Sequence, residues 1–540
     1  MVNDLLPKGI GNGSTSVGPH GSFFDCSRYG GTGRIASGDR GPRPTVIKTA
    51  RPHHHPLEHR HGKDIDPLEW IEKGDRFRTY PNIAGQRFQL PAGQRYDLWD
   101  FHAFKIDEMT TFNSGKLAHL LCIIGIVSIS SRAVGQPPTA PRIVSRVESG
   151  EMPGLHATIF GSASGASGIY LGATGTTLRS GDLISNDNGR TWRTQPMTPD
   201  FYAGLPKGYR RNPVTSVSDH KTGRLLTIVN ALDVPDLDPN INEPPIALNT
   251  YYLRYRVSAD KGRTWAKEGP IVVKGKFDAL HPVPGVEIGK NSIFLGDLGC
   301  IPIVTRNGHI LVPAQATLLG QDGKLANPGG GYTYTDVVIL IGKWKRDHSI
   351  EWTMGGRVQA DPARSSRGMI EPTLAELPDG RIMMVMRGSN DAKPKDGLRL
   401  PGHKWVSVSA DGGKRWSKPE PFCFDDGSPF FSPSAMSTLF RHSSGRIFWF
   451  GNISERNPEG NLPRWPLMMA EVDPVSTRLI RSTLVTLDTE TEKDKSRGRL
   501  DISHFSMLED RETQEIILTY PRNHGGYKER EWVTTRLAVK

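Results

Sequence analysis

The chain has 540 residues, enough for two or three average domains or for one large domain with attachments. Apolar residues make up 36% and charged residues 23%, which excludes a membrane bundle and a disordered polymer for the bulk of the chain. The formal charge is +11, yet no Lys/Arg run stands out and basic residues alternate with acidic ones. Nucleic acid is therefore not an expected partner; an ordinary basic surface, or a partner carrying carboxylate or sulfate, fits the pattern.

Residues 1–108 hold Gly-rich pieces, a cluster of His53, His54, His55, His59 and His61, and little apolar periodicity. Those histidines sit in one stretch without Cys and without paired spacing, unlike a structural zinc site. From Met109 the layout changes. Lys116 supplies a positive start, 117–129 an apolar run, and Ala133-Val134-Gly135 a small-x-small cleavage site before Gln136. This is the layout of a secretory signal peptide, and the run is shorter than the ~20 residues of a membrane span. The expected organisation is thus a non-native or disordered extension over 1–108, a signal peptide over 109–135, and a secreted or periplasmic mature chain over 136–540. N-terminal sequencing of protein from the native source should start near Gln136; a mature chain that retains residues before Met109 would refute the assignment.

The mature part keeps two of the four cysteines, Cys300 and Cys423, which either pair or remain free thiols. Short β-rich runs bounded by turn residues follow one another at 169–172, 225–229, 310–312, 337–341, 382–386, 447–450 and 516–520. Asn307-Gly308, Asp379-Gly380 and Ser444-Gly445 precede strands, and such pairs predict two-residue hairpin loops. Helical periodicity is hard to find, so the expected class is all-β.

A repeat decides among the all-β architectures. Ser185 to Trp192, Ser258 to Trp265 and Ser409 to Trp416 all read S-x-D-x-G-[RK]-x-W. The Asp carboxylate can accept turn N–H groups, Gly takes a φ closed to other residues, and Trp packs beneath. Asp187 and Asp260 are 73 residues apart, and Asp260 and Asp411 are 151 apart, close to twice that. A worn copy at Asp347 to Trp352 fills the gap. Roughly 400 residues at about 65–75 per unit predict six blades of a β-propeller.

These turns resemble the Asp-boxes, or bacterial neuraminidase repeats, of the sialidase superfamily. The resemblance implies a six-bladed β-propeller of the sialidase type and an exo-glycosidase that removes a terminal acidic sugar from a glycan or glycoconjugate. It also implies an arginine set for the sugar carboxylate, a Tyr–Glu nucleophile pair and an Asp acid/base. Ile370 to Arg381 followed by Met384 to Arg387 resembles the segment of the catalytic Glu and second Arg, which would be Glu371 and Arg387, and Asn461-Leu462-Pro463-Arg464-Trp465-Pro466-Leu467 that of the third Arg.

Other positions depart from the family pattern. His156 stands where the first Arg is expected, with Arg142 and Arg146 as alternatives. Asp182 and Asp297 are candidate acids. Phe505-Ser506-Met507-Leu508 stands where Tyr-Ser-x-Leu is expected, and Phe has no phenol oxygen. Tyr520, Tyr332, Tyr334, His504 and His524 are candidates for the centre in its place. The expected catalytic set is Glu371, Asp297 and Tyr520, and the expected sugar-binding set His156, Arg387, Arg464 and His504. The alternative is a propeller that binds glycan without cleaving it, or that cleaves a different sugar. No metal or cofactor and no membrane span are expected, and a monomer is.

Overall fold

The computed structural model describes residues 138–153, 167–172, 175–180, 183–194, 210–231, 247–393, 398–526 and 528–539. They belong to a compact unit that includes Gly135–Lys540. Their strands form six antiparallel sheets of four or five strands, the blades of a β-propeller. In chain order the blades span 167–194, 210–270, 293–358, 370–421, 438–488 and 500–538. Strand Arg142–Ser149 completes the sixth blade by pairing antiparallel with Glu529–Ala538, so the earliest described strand closes the ring on the latest. Among the described residues no helix is long and apolar enough to cross a membrane. The expected signal segment and the histidine cluster lie outside the described residues.

Each sequence run expected to be a strand lies inside an observed one. The packing explains why those runs are almost continuously apolar. Alternate residues of a strand point to opposite faces, and here both faces are covered by neighbouring blades. Ile310 and Val312 pack with Leu226 and Ile228 of the second blade, while Leu311 between them packs with Leu374 and Met384 of the fourth. Met383 and Val385 turn the other way, toward Trp449 of the fifth blade. Phe448 and Phe450 then meet Leu518 and Val533 of the sixth. The core is therefore a series of apolar layers between blades.

The three boxes share one hydrogen-bond plan. In the first, Ser185 Oγ donates to Asp187 Oδ1 at 2.7 Å and accepts from the Gly189 N–H at 2.8 Å. The Asp187 carboxylate also accepts the Thr191 N–H at 2.9 Å. Asp260 and Asp411 repeat this with Thr264 and Arg415. Two successive residues are left-handed in each turn, with φ of 58° and 81° at Asn188 and Gly189. Those bonds hold the Asp187 carboxyl down at about 2, the Thr191 hydroxyl and N–H contributing most. The worn copy at Asp347 occupies the equivalent hairpin between third and outer strands, with His348 left-handed and Trp352 buried.

The Gly308, Gly380 and Gly445 turns differ from the expectation. Thr305, Leu377 and His442 bond to His309, Arg381 and Arg446, so each loop has three residues, and only the glycine is left-handed. A turn followed by one left-handed residue matches strand twist as well as the two-residue form does.

The third and first boxes dock on the preceding blade. Gly413 O of the third box accepts the Gly356 N–H at 2.8 Å, and a Cβ at Gly356 would stand 2.3 Å from Trp416 Cδ1. The first box reaches the sixth blade: Asn188 Nδ2 donates to Asp510 Oδ1 at 3.2 Å and Arg190 pairs with Glu512 at 2.7 Å. Gly356→Ala should therefore lower stability by about 1–3 kcal/mol through overpacking. Gly269→Ala, where no heavy atom lies within 4 Å of the new Cβ, should change it much less. Urea unfolding of both variants checks this.

Candidate active site

Loops and inner strands of four blades bring charged side chains together. Glu371 lies on the buried strand Ile370–Glu376 of the fourth blade, at a break in register between Ile370 and Thr373. Its φ is 49°. A left-handed side-chain-bearing residue costs about 1–3 kcal/mol and persists only where its surroundings hold it. Here the Glu371 N–H donates to Gln315 Oε1 at 2.9 Å, from the third blade. Gly296 lies against both: a Cβ there would stand 2.1 Å from Gln315 Oε1 and 2.9 Å from Glu371 Cγ. Only glycine lets the loop carrying Asp297 approach so closely.

Arg387 ends the next strand, cross-strand from Ile370. Each of its three nitrogens donates one bond: Nη1 to Glu371 Oε1 at 2.5 Å, Nε to Ser434 Oγ at 2.8 Å and Nη2 to Asn461 Oδ1 at 2.9 Å. Side-chain exposures of 3% and 2% make Arg387–Glu371 a buried ion pair. Glu371 Oε2 is buried without a protein hydrogen-bond partner. Lys404, opposite Arg387 on the adjoining strand, is also fully buried, its Nζ donating to Pro433 O at 2.8 Å.

Arg464, in a loop of the fifth blade, donates from Nη1 to Asp501 Oδ2 at 2.9 Å, on the sixth. His504 follows on that blade, its Nε2 3.7 Å from Asp297 Oδ2. Asp297 stands between two short strands of the third blade, where Oδ1 accepts the Leu298 N–H at 2.6 Å.

The two central carboxyls are pushed in opposite directions. Burial raises Asp297, the Glu371 charge raises it further, and His504 opposes both. For Glu371 burial acts upward, but the charge and hydrogen bond of Arg387, with Arg367 and Arg464 behind them, hold it below the usual carboxylate range. Burial and the Arg387 charge drive the Lys404 ammonium well below its ordinary range.

The structure thus gathers Glu371, Arg387, Arg464, Asp297 and His504. It places Tyr520 elsewhere: the side chain is wholly buried in the layer between fifth and sixth blades. Burial pushes its phenol up, with the Asp488 charge adding. Phe505 is 2% exposed and packs at a tilt on Phe450, ring centroids 6.3 Å apart. His524 is held in a buried network by Asp494 at 2.7 Å. Arg146 pairs with Glu148 and Asp488. Tyr332 is half exposed, and the Tyr334 hydroxyl donates to Ala360 O at 3.2 Å. His156 and Asp182 lie outside the described residues. Cys300 and Cys423 are both free thiols. Sequence reading missed Gln315, Lys404, Ser434, Asp501 and Ser503, none of which stands in a recognisable motif, and gave no role to Asn461, which opens the segment that carries Arg464.

Removing one member of the buried pair isolates the other charge, so Arg387→Met should cost about 3–5 kcal/mol of stability. The double variant Arg387→Met/Glu371→Leu should recover most of it. A double-variant cycle by urea unfolding checks the coupling; additive losses would show that the pair is not interacting.

Residues 210–495 match the family model described as BNR repeat-like domain. No curated protein matches the chain. Among solved structures, a protein of unknown function from Dyadobacter fermentans DSM 18053 is 17% identical, with 74% of this chain and 100% of that one covered and a TM-score of 0.47. The NanB sialidase of Streptococcus pneumoniae is 12% identical over 76% of this chain and 72% of its own, TM-score 0.43. The Trypanosoma rangeli sialidase is 15% identical over 67% of this chain, TM-score 0.39; the chain spans 50% of that protein's length.

Proposed function

The chain belongs to the family of BNR repeat-like domains, and we propose that its central cluster makes it a sialidase-like glycoside hydrolase. Its substrate in this reading is a terminal acidic sugar on a glycan or glycoconjugate. The observation that carries the proposal is a buried carboxyl on each side of Gly296: Glu371, bonded to Arg387 with Oε2 unpartnered, and Asp297, beside His504. Their surroundings push Asp297 upward and Glu371 downward. A pair separated in this way supplies an acid and a base at one pH. Asp297 gives its proton to the leaving glycosidic oxygen as the anomeric C–O bond breaks. Water forms the new bond, and Glu371 takes the water's proton through Oε2, the atom without a protein partner. This route needs no phenol, accommodates Phe505, and inverts the anomeric centre. Arg464 and Arg387 supply the positive field for an anionic sugar. The reaction calls for no metal or cofactor, and the protein acts as an exported monomer.

A second reading has its own support. Each Arg387 donor described above already has a protein partner, which suits a glycan-binding propeller without turnover.

Fluorophore release from a 4-methylumbelliferyl sialoside separates the two. Wild type should release it, with the inverted sugar formed first by proton NMR. Glu371→Gln and Asp297→Asn should each lower kcat roughly 10²–10⁴-fold. A folded wild type that cleaves nothing in a panel of acidic and neutral glycosides, yet retains glycan, would leave only the binding reading.

A further inference from the structure

A buried acid that gives away its proton in each turnover needs a route for the proton to return. Three groups described above face Asp297: the Leu298 N–H on Oδ1, the Glu371 carboxyl, and His504 at 3.7 Å from Oδ2. Glu371 is buried and committed to Arg387. The Cys300 thiol is wholly buried, and the His504 side chain keeps 22% of its exposure against 7% for Asp297, so of these titratable neighbours it is His504 that meets solvent.

The orientation of the ring is set from behind. Ser503 Oγ donates to Asp501 Oδ1 at 2.7 Å, and Asp501 is fixed by Arg464 at 2.9 Å, with Arg499 at 3.5 Å. Having used its single proton, the Ser503 hydroxyl meets His504 Nδ1, 3.2 Å away, as an acceptor. Nδ1 therefore carries the hydrogen in the neutral ring, and the Nε2 lone pair faces Asp297.

We propose that His504 is a positioning residue that reloads Asp297 with a proton, held in the required tautomer by Ser503 and Asp501. The inference rests on the reading of Asp297 as the proton donor. A solvent proton adds to Nε2 and forms the imidazolium. At 3.7 Å the two atoms are beyond a direct hydrogen bond, so the Nε2 proton passes to Asp297 Oδ2 through one solvent water, which restores the carboxylic acid and the neutral ring. The proton that Glu371 took from water returns to solvent, so each turnover consumes no net proton.

Carbon-13 NMR of the full chain, labelled at the Asp side-chain carboxyl, tests this without relying on turnover. The Asp297 resonance is identified by its loss in Asp297→Asn. In wild type burial and the Glu371 charge hold its midpoint up, and His504 opposes them. His504→Gln removes the positive charge that opposes the upward shift, so the Asp297 midpoint should move to higher pH. Ser503→Ala, which keeps the ring but frees Nδ1, should move the midpoint the same way by less. An unmoved midpoint in both variants overturns the relay. In a parallel assay with the 4-methylumbelliferyl sialoside, His504→Gln should lower kcat by about tenfold or more with KM little changed, and added imidazole should restore part of it. A midpoint moved by both variants, in a protein whose wild type shows no turnover, supports the His504–Asp297 link and sinks hydrolysis. Turnover with an unmoved midpoint overturns the relay and leaves hydrolysis standing.

Discussion

Burying the Arg387–Glu371 pair is the constraint around which the centre of the molecule is arranged. Removing two charges from water costs several kcal/mol per ion, and the pair survives only if the remaining donors and acceptors are answered. Arg387 meets that demand by reaching beyond its own blade, to Ser434 and Asn461 of neighbouring loops. Glu371 meets only part of it, since one carboxylate oxygen stays unpartnered. The left-handed backbone at Glu371, the bare Cα of Gly296 and the inward amide of Gln315 all serve to hold that carboxyl in place. A side-chain-bearing residue keeps a left-handed backbone only where its surroundings hold it, and Gly296, Gln315 and Arg387 do so for Glu371.

The periphery is governed by different physics. There the carboxylates are exposed and each is satisfied within its own turn, by hydroxyl and N–H groups a few residues away. The turns make the outer hairpins rigid, and rigid hairpins can act as contacts between blades. Gly413 on Gly356 and Asn188 on Asp510 are two cases of the same arrangement, one inside the ring and one across its closure. Local hydrogen bonding thus fixes the rim, while apolar layers fix the spacing of the blades.

Much of the fold was legible because the turns are chemically distinctive. A Ser, an Asp and a Gly at fixed offsets define the box without any knowledge of what lies above it. The strands were legible as apolar runs, although burial on both faces removed the alternation that would say which residue points where. That loss explains Tyr520, whose direction depends on a register that the sequence does not mark. Glu371 and Arg387 could be paired from sequence because one hairpin joins them. Asp501, Ser503 and Lys404 could not, because their partners belong to other blades or depend on the placement of a loop. Lys404 is the clearest case: by type it reads as a surface residue, and only its position opposite Arg387 buries it. Even the three glycine turns concealed one residue, since Asn-Gly and Asp-Gly serve the two-residue and three-residue loops equally.

The closing strand has a consequence for how such a ring comes into being. Arg142–Ser149 is synthesised before the other described strands of the ring, and its partner Glu529–Ala538 after them. The entropy of joining two distant segments grows only with the logarithm of their separation, so the final stability loses little by this arrangement. Time is another matter, because contacts so far apart in sequence form slowly. Until they form, both strands present unpaired backbone edges that a neighbouring chain can occupy. Assembly is thus a race between a segment finding its own distant end and finding another molecule's, and dilution favours the first.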